Sequence, residues 1–474
     1  MLLHLIKKEL LTSLRDRRLQ IAGGALLLLM VTAIVVSKQG QQRIMKERSL
    51  AQAAMYDQWV NQGSKHPHSA AHFGQFAFKP KPVLSFLDVG LDNYTGVSVF
   101  LEAHKQNEVL FSAAQDSNGM TRFGELTAAL VLQVLIPLLI IFLTFNIFSK
   151  EREQGTLKLI SAQGISVRSL FMGKIWGTYL VVMLLFLPMI ALAFVLLDSS
   201  GNQLDPDAIT KFTYLVLGYA LYFLVFVLIS VTISAFAKNS GFSLLTLLGI
   251  WIISCIVLPK ATTNLADKIY PSPSLFEFKE NVKHKVKNGI DGHNPSDVRL
   301  ASLKEEVLME YGVDSIEQLP VNWSGIAMQA GEEYTDDVYD QEFSKIESTF
   351  INQNEVSEWA SFVTPFLAIR NLSMALSGTD FHSHLAFTKA AERYRRGFVK
   401  KMNKDMEVNH KPGVAYNDYK VDRDMWSSIE PFHYQLPKVS SILADQWRSI
   451  TSLGCWLLGL SIFSIYATRK LPLL

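Results

Sequence analysis

The chain has 474 residues, of which 49% are hydrophobic and only 19% charged, and its formal net charge is +2. Soluble domains carry about 25% charged residues, so this composition, with a mean hydropathy of +0.18, speaks against a purely soluble protein, a disordered one or a nucleic-acid-binding domain. The two cysteines, Cys255 and Cys455, both lie in apolar runs, which leaves no disulfide framework and no cysteine-based zinc cluster.

In chain order, residues 1–18 read as an amphipathic helix lying in the membrane interface. Leu3, Ile6, Leu10 and Leu14 share one face, while Lys8 and Arg15 face away. Six apolar runs follow at 19–36, 126–148, 170–197, 212–236, 242–258 and 450–468, each near the length a bilayer requires. No A-x-A-like cleavage site follows the first, so it is expected to stay as an anchor. Pro137 and Pro188 lie within the second and third runs, where kinks are expected.

Two long insertions, 37–125 and 259–449, separate these runs. The first opens with a polar helical stretch at 39–61, passes through HPHSAAH and continues with the extended FKPKPVLSF. The second shows helical patterns at 275–286, 297–311, 332–353 and 384–406, divided by Pro and Gly. Val83, Leu84, Phe86 and Leu87 of the first insertion cannot form a core alone. They are expected to pack against Val363, Phe366, Leu367 and Ile369 of the second.

Basic residues set the orientation. Lys7, Lys8, Arg15, Arg17 and Arg18 precede the first span, and Lys150, Arg152, Lys158, Arg168 and Lys174 lie between the second and third. Lys238 follows the fourth, and Arg469 and Lys470 end the chain. The loop DSSGNQLDPDAITK, between the third and fourth spans, is acidic. Both termini and residues 149–169 are therefore expected in the cytoplasm, with both insertions outside. The expected fold is an all-α membrane protein: six transmembrane helices, an N-terminal interfacial helix, and a mainly α extracytoplasmic domain built from the two insertions.

The stretch SKEREQGTLKLISAQGISVRSLFMGK at 149–174 carries the most mechanistic information. Gly155 can end the second helix. Leu157, Leu159 and Ile160 then make a short apolar stretch at the cytoplasmic surface, and an exposed apolar edge there calls for a partner. The plain alternative is a helix–loop–helix connection with ordinary surface charges.

E-R-E-x-G-T after the second of six helices, a basic amphipathic start and a paired entry into helix three resemble the ABC-2 type transporter permeases. The resemblance covers the N-terminal helix and all six spans. It implies a transmembrane permease subunit that couples ATP hydrolysis to export or extraction of a substrate. Glu151, Arg152, Glu153, Gly155, Thr156, Leu157 and Ile160 would then form the contact with the ATPase. It also implies two ABC ATPase subunits, a second copy or homologue of the permease, and a bacterial cytoplasmic membrane with the large domain in the periplasm or outside the cell. The stretches FAFKPKPVLSFLDVGLDNYTGVSVFLEAHKQNE and SFVTPFLAIRNLSMALSGTDFHSHLAF are similar to a subfamily with large extracytoplasmic insertions. The alternative function is a membrane assembly or force-transmitting protein that acts on an extracytoplasmic protein partner without transport.

No G-x-x-x-x-G-K-[ST] is present. The chain is therefore read as a non-enzyme with no cofactor of its own, ATP and Mg being held by the partner ATPase. No nucleic-acid partner is indicated. An ion-coupled carrier lacks support, because no span carries a central charge. Ten of the eleven histidines fall in the insertions. His66, His68 and His72, with His382 and His384, are weak metal candidates; the simpler reading is exposed loop side chains, which only buried, mutually facing imidazoles would change. Thr144 and Asn146, within the second span, are read as bonding neighbouring helices. Arg393, Arg395, Arg396, Lys400, Lys401 and Lys404 are read as a solvated basic face.

Overall fold

The computed structural model describes residues 1–110, 126–198, 205–290, 293, 298–411 and 413–469. Parts of the acidic loop (199–204) and Lys470 lie outside the described residues.

The first two helices are α1 (Leu2–Leu14) and α2 (Arg17–Val60). Asp16 starts α2 by accepting the Arg18 backbone N–H at 2.8 Å. At 1.5 Å per residue, its 44 residues reach roughly 66 Å, twice the hydrocarbon thickness. The expected first span and the polar helix at 39–61 are thus one rod that leaves the membrane and enters a head domain. There α3 (Pro67–Phe73) precedes a three-stranded antiparallel sheet, β1 (Gln75–Phe78), β2 (Ser98–Glu102) and β3 (Lys105–Gln106), in that spatial order. Phe76 pairs with Phe100 in its register. Strands this short carry too little alternation to be read from sequence.

The second span is α4 (Ala128–Glu153), followed by the short α5 (Thr156–Ala162) and the third span α6 (Val167–Asp198). The fourth and fifth spans are α7 (Pro206–Phe236) and α8 (Ser240–Ile269). The head continues with α9 (Leu275–Lys287), α10 (Ala301–Tyr311), α11 (Trp323–Ala360), α12 (Pro365–Ser377), α13 (Phe381–Asn409), α14 (Arg423–Ser427) and α15 (Val439–Asp445). The sixth span is α16 (Trp447–Thr468). Among the described residues six helices are long and apolar enough to cross a membrane, so the protein is an all-α membrane protein with one small sheet. Most long helices open on a side-chain cap: Asp205, Asn239, Ser274, Asn322, Thr364 and Asp380 each accept a first-turn N–H. Just before Pro137 and Pro259 the helix widens into π turns, Val131–Leu135 and Ile253–Val257. That widening accommodates a residue with no N–H to donate.

The two insertions fold together. Leu84, Phe86 and Leu87 share one buried cluster with Phe366, Leu367 and Ile369 and with residues of the spans, and Val83 packs against it. Val363 departs from the expectation, being 62% exposed: it precedes α12 rather than riding on its buried face. A second core joins Trp59 of α2, Ala70 and Ala71 of α3, the sheet, Phe387 and Phe398 of α13, and Trp426. Trp59 Nε1 donates to the Trp426 carbonyl at 3.0 Å and Trp426 Nε1 to the Gly63 carbonyl at 2.9 Å. Both indole N–H groups are thereby satisfied inside the core. Arg395, expected on a solvated face, is 1% exposed and surrounded by carboxylates.

Helix α1 lies against α6. The packed face is carried by Leu5 and Glu9, with Leu10 packed against Leu19, Leu139 and Val181, while Leu3 is 79% exposed, so only part of the apolar stripe read from the sequence meets the bundle. Contact is close because α6 presents Gly173 and Gly177: a Cβ on them would stand 2.7 Å from Leu5 Cβ and 2.6 Å from Glu9 Cβ. Gly177→Leu is therefore expected to lift α1 off the bundle. A cysteine replacing the buried Leu5 should then react quickly with a water-soluble maleimide. Equal labelling in both backgrounds would show that the glycine contact does not hold α1.

Candidate functional site

The site begins where α4 ends, at the opposite end of that helix from its contact with the head, where the Ala129 N–H donates to the Leu87 carbonyl at 3.0 Å. Gly155 has φ 71° and Gly164 φ 80°, a left-handed conformation that a side chain would strain. These two residues isolate α5 as a separate short helix between α4 and α6.

The three charges of the E-R-E motif bond to their own chain, Glu151 and Arg152 half-buried and Glu153 at the surface. Glu151 accepts from Lys174 Nζ at 2.8 Å, and Lys174 is 1% exposed. The same ammonium reaches the Ile147 carbonyl at 2.9 Å and Glu9 of α1 at 3.4 Å, and it sits 5.0 Å from the Phe148 ring centre. One buried lysine thus joins α4, α6 and α1. Arg152 donates to the carbonyls of Ala237, at 2.5 Å, and Ala235. These lie at the C-terminal end of α7, where carbonyls lack helical donors and a cation is favoured. Glu153 accepts from the Ser240 backbone N–H at 2.8 Å and from its hydroxyl at 2.9 Å. That is the N-terminus of α8, where a carboxylate is favoured. Thr156 Oγ1 donates to the Glu151 carbonyl at 3.1 Å. The motif is a staple across α1, α4, α6, α7 and α8.

The residues expected at the ATPase contact take these places in the isolated chain. Glu151, Arg152 and Glu153 bond to their own chain rather than standing free. Leu157 is 3% exposed and belongs to the main core, with Ile160 packed against that core. The apolar side chain that α5 presents is Leu159, 64% exposed, beside the exposed Lys158, Ala162 and Gln163. Helical geometry accounts for the division. Leu157 and Ile160, three apart, share one face, whereas Leu159 stands about 200° round from Leu157. That offset was available in the sequence; which face meets the bundle was not.

At the head end, Asp88 forms a buried polar junction. Its carboxylate accepts from Ser373 Oγ of α12 at 2.5 Å, Gln133 Nε2 of α4 at 3.3 Å and the Gly90 N–H at 3.0 Å. Tyr219 of α7 closes the ring, with its hydroxyl 2.9 Å from Ser373 Oγ and 3.0 Å from Gln133 Nε2. Thr144, read as bonding a neighbouring helix, instead donates within its own helix, to the Ile140 carbonyl at 2.6 Å.

The histidine candidates divide. His68 and His72 of α3 come together with His104, in the turn between β2 and β3, and His293. His66 stands apart, stacked on Tyr416 at 3.7 Å between ring centres. His382 and His384 lie at the start of α13, outside the cluster. His66 and His68 are each 6% exposed, so neither is the exposed loop side chain expected. Burial, followed by the neighbouring imidazoles, holds His68 far below the ordinary histidine range, at about 2, and therefore neutral. His104 and His293 had no local signal, because they are distant in the chain.

Two family models match the chain. One, described as ABC-2 family transporter protein, matches residues 98–269, and the other, a domain of unknown function (DUF3526), matches residues 276–435. The first match contains α5 and all of its staple except Glu9 of α1. No curated protein matches the chain.

Proposed function

From the match of residues 98–269 to the ABC-2 family transporter model, we propose that this chain is the permease subunit of an ATP-driven exporter or extractor. It works with two ATPase subunits and a second permease, identical or homologous. ATP and Mg bind the ATPases, and this chain contributes no hydrolytic residue. Its termini and α5 face the cytoplasm of a bacterial inner membrane, and the head faces the periplasm or the exterior.

The observation that carries this reading is the pairing of an exposed apolar face on α5 with a staple that binds its flank to five helices. An ATPase docked over Leu159 pushes on a rigid element. Glu151 passes that movement to α6 and α1 through Lys174, Arg152 to α7, and Glu153 to α8. The Asp88 junction then links α4 and α7 to the head. Burying a leucine side chain contributes about 1.5–3 kcal/mol, which suits a contact remade in each ATP cycle.

The direct test is purification of the tagged chain from its native membranes. An ABC ATPase should accompany it in equal amount and hydrolyse ATP in the complex. Recovery of the intact permease without an ATPase would overturn the assignment. Topology is checked separately, in a background lacking Cys255 and Cys455. A cysteine at the exposed Lys287 should react with an impermeant reagent in intact cells, and one at the exposed Lys158 only after permeabilisation. The reverse pattern would invert the orientation.

A further inference from the structure

We propose that His68, His72, His104 and His293 form a binding site for a single zinc-class divalent ion, which clasps three separate pieces of the head. The four side chains can each offer one ring nitrogen, and these nitrogens all lie within 4.8 Å of one another. His68 Nε2 is 3.1 Å from His72 Nε2 and 3.2 Å from His293 Nε2. A tetrahedral ion with nitrogen ligands at 2.0–2.1 Å requires neighbouring nitrogens about 3.3 Å apart. Hydrogen bonding among the rings explains the convergence less well. The Nε2 of a neutral imidazole carries either one proton or one lone pair, so His68 Nε2 cannot make two good bonds of its own to two other ring nitrogens. A cation between them satisfies every lone pair at once.

The way the ligands are held supports the same conclusion. His68 and His72, four residues apart, project from one face of α3. His104 sits at φ 61°, the single non-glycine residue with positive φ among those described. Such a conformation in a side-chain-bearing residue points to an imposed role. Glu332 imposes it from both directions. Its carboxylate accepts the His104 backbone N–H at 2.9 and 3.1 Å and faces Nδ1 at 2.8 Å. A carboxylate only accepts, so Nδ1 carries a proton and Nε2 is the nitrogen left to face an ion. That Nε2 is buried without a hydrogen-bond partner among the described residues. A histidine whose second nitrogen is fixed by a carboxylate is the usual arrangement behind a metal ligand. Glu332 is itself 2% exposed and anchored by Arg395 at 3.4 Å, so the orientation is rigid.

Four imidazoles and no thiolate suit zinc, copper or nickel and not magnesium or calcium. Four protein ligands leave no open coordination position, which marks a structural rather than a catalytic site. His72 and His293 are exposed, so an ion can enter from solvent. Once bound, it ties α3 to the β2–β3 turn and to the segment after α9. No single one of these pieces holds more than two of the ligands.

The test uses the full-length protein in detergent, carrying a tag without histidine and stripped with a chelator. Zn²⁺ titration should give one ion per chain and raise the thermal midpoint. Co²⁺, as a spectroscopic substitute, should show the intense visible bands of a tetrahedral site. His72→Ala and His293→Ala replace exposed side chains and should leave folding intact, yet weaken Zn²⁺ binding at least about 100-fold and abolish the tetrahedral spectrum. Glu332→Gln, which alters a positioning residue, should weaken binding about 10–100-fold. His382→Ala should bind as the parent does. Absence of stoichiometric Zn²⁺ binding, an octahedral Co²⁺ spectrum, or unchanged affinity in both exposed-histidine variants would overturn the proposal.

Discussion

Leu159→Asp leaves the permease inserted and folded but separates it from its ATPase. The side chain is 64% exposed, so the free permease has nothing to lose by the change. In the complex, about 1.5–3 kcal/mol of apolar burial disappears, and a carboxylate must be desolvated as well. Co-purified ATPase should fall more than about tenfold, since 1.4 kcal/mol already corresponds to a factor of ten. Leu157→Asp should behave differently. It places a charge in the permease's own core, and the expected result is loss of folded protein from the membrane fraction. Measuring both variants by fluorescence-detected size exclusion and by ATPase recovery separates docking from folding. If Leu159→Asp retains its ATPase in full, α5 is not the docking element.

Arg395→Met should cost the head about 3–5 kcal/mol, because removing one partner of a buried ionic cluster strands the others. Arg395 reaches Glu392 at 2.7 Å, Glu332 at 3.4 Å and also Asp336. Among the described residues the other cation on this cluster is Arg396, which is partly exposed and shared with Asp340. The expected readout is a fall of order 10 °C in the thermal midpoint. Asp336 behaves differently. Burial, with a smaller push from the neighbouring Glu392 carboxylate, raises its carboxyl to about 6 despite both arginines. A raised folded pKa contributes stability at low pH that is lost as pH rises through about 6. Asp336→Asn should therefore stabilise the head at pH 8 and remove the fall in its stability between about pH 4 and 6. A destabilised Asp336→Asn protein at pH 8 would show that the pair with Arg395 outweighs the burial penalty.

These two sites differ in how far the sequence revealed them. Leu159 lies in a stretch whose importance was visible from Gly155, Gly164 and the E-R-E charges. The Arg395 cluster was not visible, because a basic run on a helix reads the same whether water or carboxylates face it.

The six spans were determined by the sequence alone, since the cost of placing polar groups in a bilayer is local and registers in any window of about 20 residues. The glycine turns around α5 and the caps of the long helices were local in the same sense, each set by a residue's own conformational or hydrogen-bonding preference. What each charge or imidazole meets was decided only by the tertiary structure. Lys174 finds Glu9, Arg152 finds the end of α7, and Asp88 finds Ser373 across the two insertions. The spacing of His68 and His72 was legible as a helical pair, but His104 and His293 are brought to them by the fold of the head. Such contacts depend on chain closure over long separations, where hydrophobic packing chooses the neighbours and polar pairing follows, so no local pattern announces them.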